Sequence, residues 1–286
     1  MISQSTKRSA TTTPAALATP ILLLILLGGC LNGFAVRISE AVNVQGMATV
    51  FLGISPFDLI VLFAAVTLIW ENRPTTEQAG SHVTIGAPEV IAIAALMIPS
   101  SATSWLVVAL YATYQYTRLA DDRRTGLLFF AGLAMTSLWS SVVMKIIGTP
   151  VTSVEAAIVA LVLSTFTDGV VQSGNVVGNP DVFSLIVLTA CSTLDTLPKA
   201  LLGLAAVMWL SDTLQQRSYI ASAIMLAALY VVANLARLTI MAMSNDLYDL
   251  AHGPIGAGIF DGIIVASVFA LSLCWTAPYA KAEQAT

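Results

Sequence analysis

The sequence predicts an all-α polytopic membrane protein of about eight transmembrane helices, with a short β-hairpin-like segment on its outer side. Three observations carry that prediction. Of 286 residues, 57% are hydrophobic and only 10% are charged, where soluble domains carry about 25% charged residues. The mean hydropathy is +0.85. The apolar residues fall in long runs broken by short polar stretches, as membrane-spanning helices require. The net charge of −4 says little about partners, because charges near membrane ends act locally. No basic stripe or nucleic-acid motif is present, so membrane lipids are an expected partner and nucleic acid is not.

Residues 1–14, with Lys7 and Arg8, read as a disordered polar tail. One transmembrane domain is expected over 15–276 and a cytoplasmic tail over 277–286. Residues 20–36 form the first span. A signal peptide is the alternative there, but no small-x-small cleavage site stands out. Residues 57–70 form a second helix after Ser55-Pro56, followed by a polar loop with Arg73 and His82. The runs 88–98 and 105–116, on either side of Pro99-Ser100-Ser101, are shorter than the ~20 residues of a perpendicular crossing. They extend into their flanks or form a hairpin that does not fully cross.

The charged loop 118–124 precedes a clear span at 127–147. Residues 151–166 are apolar but interrupted by Ser153, Glu155, Ser164 and Thr165. Placing Lys7, Arg8, Arg73, Arg118, Arg123, Arg124, Arg217 and Lys281 in the cytoplasm requires that 151–166 does not cross, so it is expected to be interfacial or re-entrant. Residues 194–210, 219–243 and 255–274 are the last three spans. Both termini are then inside, and 168–192 and 245–254 lie outside.

Residues 168–199 are the long stretch that alternates instead of running solidly apolar. Residues 169–177 read as strand, turn, strand; Asn179-Pro180-Asp181 is a second turn; and 182–189 is a β-branched run ending on Ala190-Cys191-Ser192. Ser192 fits a helix cap with Asp195 three residues on. That leaves Cys191 just outside a helix N-terminus, whose positive end favours a thiolate. The plainer reading is a small apolar residue at a membrane boundary. The other cysteines, Cys30 and Cys274, lie in the first and last apolar segments. The cysteines and the two histidines, His82 and His252, show neither a disulfide framework nor a metal-binding spacing. No cofactor is implied.

Arg237 is the strongest anomaly. It lies roughly 9 Å from the outer end of the 219–243 helix at helical rise, a depth at which arginine is costly by a few kcal/mol unless it faces protein or water. Asn234 shares its face. Snorkelling to the outer headgroups is the alternative. His252 lies in the short outer loop, with Asp246 and Asp249 nearby. Cys191, Arg237 and His252 thus share one side. A thiol is a good nucleophile as thiolate, an arginine suits an oxyanion, and a histidine can shuttle a proton.

With those residues in place, the chain resembles the exosortase/archaeosortase family of membrane-embedded cysteine transpeptidases, over about 168–262. The resemblance rests on Gly169-Val170, Gly174-Asn175, Ala190-Cys191-Ser192, Asn234-Leu235-Ala236-Arg237, and His252 followed by Gly256. It implies catalytic roles for Cys191, Arg237 and His252. Asn234, Ser192, Gly174 and Asn175 stand as supporting or substrate-binding residues. Two positions depart from the family pattern: Thr193 stands where Gly is usual, and Gly253 where Asp or Glu often follows the histidine.

The resemblance further implies a reaction at the outer face of the bacterial inner membrane. The substrates would be secreted proteins ending in a short motif such as Pro-Glu-Pro, a transmembrane helix and a basic cluster. The cleaved protein would pass to a surface glycan or lipid acceptor. Two other classes fit the spans. A transporter would use Arg237 to bind an anionic group and would not need Cys191. A scaffold for exopolysaccharide assembly would need none of the three residues.

Overall fold

The computed structural model describes residues 19–45, 54–73, 85–119 and 123–274. The N-terminal tail, His82, and the C-terminal tail with Lys281 lie outside the described residues. The described chain is an all-α membrane protein carrying one small sheet. Among the described residues, five helical stretches are long and apolar enough to cross a membrane: Thr19–Val36, Arg123–Leu163, Thr193–Leu210, Arg217–Met243 and Ile255–Leu273.

Helix α1 (Thr19–Gln45) packs its Leu22, Leu26, Cys30 and Phe34 into a core shared with α2 (Pro56–Glu71), α4 (Ser101–Arg118) and α5 (Arg123–Leu138). α2 starts on a capping box, in which Ser55 Oγ accepts the Phe57 N–H and Asp58 Oδ2 accepts the Ser55 N–H. The runs around Pro99 form a helical hairpin of α3 (Ala87–Leu96) and α4. Asn32 of α1 staples its tip, donating to Leu96 O at 3.1 Å and Ser104 Oγ at 2.8 Å. Such interhelical hydrogen bonds hold helices together where apolar burial cannot discriminate between protein and lipid.

Residues 151–166 are not a separate re-entrant element. α5 passes through a π turn at Trp139–Val143 into α6 (Met144–Leu163), making one helix of 41 residues. Pro150 lies inside it without breaking it. The hydroxyls of Thr152 and Ser153 donate to the carbonyls of Gly148 and Thr149 beside the proline, and an apolar setting penalises any further loss of backbone bonds.

Past α6 lies an antiparallel sheet of β1 (Val171–Ser173), β2 (Val176–Asn179) and β3 (Phe183–Ile186), in the order β1-β2-β3. β2 pairs Val177 with Leu185 and buries both, with Val187, against Ala156, Val159 and Leu163 of α6. α7 (Thr193–Leu210), α8 (Gln216–Met243), α9 (Asn245–His252) and α10 (Pro254–Leu273) complete the chain. The expected outer loop after α8 is therefore helical over most of its length. Ser244 caps α9, its Oγ accepting the Leu247 N–H, and the chain enters α10 directly at Gly253.

The helix ends sort by side. α7 runs antiparallel to α5: Trp139 Nε1 donates to Leu194 O at 2.8 Å, while a Cβ on Gly132 would meet Leu202. The start of α5 therefore lies beside the end of α7. Arg123 there donates to Thr19 Oγ1 at the start of α1, and Ser211 after α7 bonds Ser272 of α10 at 3.1 Å. The sheet, the Cys191 turn and α9 gather at the opposite end.

Candidate active site

Cys191 ends a single 3-10 turn, Thr189–Cys191, between the sheet and α7. Contacts on three sides fix that turn. Upstream, Asn175 clasps Val187: its carbonyl accepts the Val187 N–H at 2.8 Å and its Nδ2 donates to the Val187 carbonyl at 3.0 Å. Gly174, at φ 58°, forms the left-handed corner before it, a conformation glycine adopts without strain. Laterally, Gly148 of α6 comes so close that a Cβ there would lie 2.2 Å from Thr189 Cγ2. Downstream, Ser192 is the N-cap of α7, its Oγ accepting the Leu194 N–H at 3.3 Å.

The first N–H of α7 goes to another helix. Glu155 Oε1 accepts from Thr193 N at 2.8 Å. Gly148, Thr152 and Glu155 are spaced four and then three residues apart, so they share one face of α6. Asn234 of α8 joins from the other side, donating to the Cys191 carbonyl at 2.9 Å and to Thr193 Oγ1 at 3.1 Å. Its amide therefore holds the cysteine turn.

The surroundings do not favour the thiolate expected from helix position alone. Burial pushes the Cys191 thiol up from its ordinary value; Arg237 and a backbone hydrogen bond with Leu188 pull it down, and Glu155 and Asp195 push it up. The positive end of α7 is already occupied by the Ser192 hydroxyl and the Glu155 carboxylate, so little of it is left to stabilise sulfur.

Arg237 lies less than two turns before the end of α8 and faces protein. Its Nε donates to the Ala251 carbonyl of α9 at 3.1 Å, and its Cζ sits 5.2 Å from the centre of the Phe260 ring on α10, a cation–π contact. Among the described residues, neither terminal nitrogen of its guanidinium has a hydrogen-bond partner.

His252 is the last residue of α9. Its ring stacks on Tyr248 at 4.9 Å and 17°, and Tyr248 in turn faces Phe183 of β3 at 6.0 Å. Partial desolvation, then the charge of Arg237, lower the imidazole from its ordinary value, against the opposing pull of Asp249. Arg237 is thus the cation that acts on both Cys191 and His252. Among the described residues, no cluster of three or more His, Cys, Asp or Glu could hold a metal ion.

A model of the transmembrane exosortase family (Exosortase_EpsH) matches residues 56–275. The chain belongs to that family. Searches of curated proteins and of solved structures each found no match.

Within this exosortase, the two departures from the family pattern have structural uses. Thr193 supplies the hydroxyl that accepts from Asn234, a bond glycine cannot make. At Gly253, a Cβ would lie 2.6 Å from the Asp249 carbonyl oxygen, so the tight corner between α9 and α10 excludes an acidic side chain. At Gly256, a Cβ would lie 2.4 Å from Leu250 O and 2.6 Å from Ala251 Cα. Its absence lets α10 press against the segment whose carbonyl holds Arg237.

Sequence reasoning passed over Gly148, Ala251 and Glu155. Glu155 carried a usable signal, being an acid inside an apolar run, and such an acid is a functional candidate by itself. Gly148 and the Ala251 carbonyl carried none, because a close approach and a backbone acceptor leave no mark in sequence.

Proposed function

We propose that this exosortase is a cysteine transpeptidase acting at the outer face of the bacterial inner membrane. Cys191 is its nucleophile, Arg237 its oxyanion-stabilising group and His252 its general acid and base. The observation that carries the reading is Arg237: its Nε is held by the carbonyl of Ala251, next to His252, and among the described residues both of its terminal nitrogens are left to donate.

The chain would be set in the membrane as eight crossings, with the ends bearing Arg73, Arg118, Arg123, Arg124 and Arg217 inside. Its 41-residue helix is about 60 Å long at helical rise, twice the ~30 Å hydrocarbon thickness. The far end of α6 and the sheet would therefore stand above the bilayer, with Cys191 near the boundary.

At rest the sulfur is a thiol and the imidazole is neutral, which suits base-assisted attack. His252 takes the thiol proton as sulfur bonds to the substrate carbonyl carbon. The oxyanion that forms is met by the Arg237 terminal N–H groups. The C–N bond then breaks, the amine leaves with the proton from His252, and a thioester remains. Attack by an acceptor nucleophile releases the product and restores the thiol. The substrates in this reading are secreted proteins with a C-terminal motif, apolar helix and basic cluster, and the acceptor is a surface glycan or lipid.

The test is co-expression of a tailed substrate with the parent protein and with Cys191→Ala or Cys191→Ser. Tail removal is expected with the parent alone. Undiminished removal by Cys191→Ala overturns the assignment.

A further inference from the structure

Glu155 is 8% exposed in the wall of α6. Its Oε1 caps α7 through the Thr193 N–H, while its Oε2 is buried with no hydrogen-bond partner. A cap does not require that arrangement. A neutral amide oxygen would accept the Thr193 N–H as well, and a buried carboxylate with a bare oxygen is destabilising. The charge therefore has a use beyond the helix end. Cys191 lies two residues before Thr193, and Glu155, Thr193, Asn234 and the Cys191 carbonyl form one connected hydrogen-bonded chain.

We propose that Glu155 is a positioning residue for Cys191, fixing the turn that carries the sulfur through the first turn of α7 and restraining the sulfur's reactivity with its charge. The inference rests on the reading of Cys191 as nucleophile. The charged groups that bear on Cys191 are Glu155 of α6, Asp195 of α7 and Arg237 of α8; from α9, His252 shares Arg237 with it. The two carboxylates oppose loss of the thiol proton and the guanidinium favours it, so sulfur is held between them. A thiol facing an oxidising exterior gains from such restraint, because oxidation and adventitious alkylation follow the thiolate.

The sign follows directly. Removing the negative charge at 155 removes a contribution that raises the thiol, so thiolate forms at lower pH. The experiment is iodoacetamide alkylation of the purified full-length protein as a function of pH. Cys274, which is exposed, is replaced by serine, Cys30 stays buried, and a Cys191→Ser chain gives the background. Glu155→Gln keeps an acceptor for Thr193 and loses the charge. It is expected to move the alkylation midpoint to lower pH and speed alkylation several-fold at neutral pH.

Glu155→Asp keeps the charge and shortens the reach to Thr193. It is expected to lower the thermal unfolding temperature while its midpoint stays near the parent's. A Gln profile that superimposes on the parent overturns the proposal, as does an Asp midpoint displaced to lower pH. If the Gln variant does not fold, the Asp variant alone decides. No substrate is needed, so this outcome is separate from any failure of the transpeptidase reading.

Discussion

Asn234 Nδ2 donates to the Cys191 carbonyl at 2.9 Å and to Thr193 Oγ1 at 3.1 Å, tying α8 to both sides of the N-cap of α7. The side chain is 3% exposed. Asn234→Ala leaves two acceptors without their donor, at a cost of about 1–3 kcal/mol. Asn234→Asp places a carboxylate against those acceptors and is expected to cost more. Thermal unfolding in detergent reads both, and unfolding temperatures equal to the parent's would show that the bond has no weight.

Gly148 and Thr189 define a second contact with a specific rescue. Gly148→Ala drives a Cβ to 2.2 Å from Thr189 Cγ2, and a β-branched side chain has few rotamers in which to yield. The variant is expected to lose tail-cleaving activity. Thr189→Ser removes Cγ2, so the double variant should recover much of the loss. No recovery would mean that the approach of α6 to the cysteine turn does not limit activity.

His252 is expected to titrate below the ordinary imidazole value, because burial and Arg237 both oppose its protonation. The base form then persists below neutrality, and activity should fall only as pH drops through that lowered value. Arg237→Gln removes one of the two causes and should move the titration upward. NMR of ring-labelled histidine in a His82→Gln background observes His252 alone; a titration unmoved by Arg237→Gln would sever the link between the two residues.

Arg237→Lys keeps a positive charge and loses the planar fork. An ammonium carries its three N–H donors on a single tetrahedral nitrogen, so a bond to the Ala251 carbonyl ties down the same atom that would have to meet the oxyanion, where the guanidinium uses separate nitrogens. A fall of roughly 10²–10³ in the rate of tail removal is expected, the scale of losing one oxyanion donor. Single-turnover kinetics with a tailed substrate measures it, and a lysine variant as fast as the parent removes the guanidinium from the chemistry.

Gly256→Ala acts on the same arginine from α10. Its Cβ would lie 2.7 Å from the Ala251 oxygen, displacing the carbonyl that receives Arg237. Activity should fall further than the unfolding temperature would suggest, and His252 should titrate closer to its ordinary value. Both can be read on one purified sample.

Much of this molecule is legible in its sequence. The apolar runs locate the helices because lipid requires every backbone group to be satisfied within its own segment. Ser55 and Ser192 mark helix starts through their hydroxyls. Polar residues inside apolar runs, such as Asn32, Glu155, Asn234 and Arg237, announce that those faces meet protein. The misreadings have local causes. The polar residues of 151–166 and the placement of the basic residues set that segment apart as interfacial or re-entrant, but the hydroxyls of Thr152 and Ser153 bond neighbouring carbonyls and the helix continues through it. Residues 245–252 were too short and polar to be read as helix without the Ser244 cap and the packing of Tyr248 on Phe183.

The sequence by itself determined a polytopic helical membrane protein, its family, and the three residue types able to support acyl transfer, since composition, spacing and side-chain chemistry are properties of the chain alone. Only the tertiary structure decided which groups those residues meet: Asn234 turns to the Cys191 backbone, Arg237 to the Ala251 carbonyl, and Glu155 to the N-terminus of α7. The physical reason is that hydrogen bonding and burial depend on which helix faces are brought together, and residues 155, 193, 234 and 251 become neighbours only when the bundle closes.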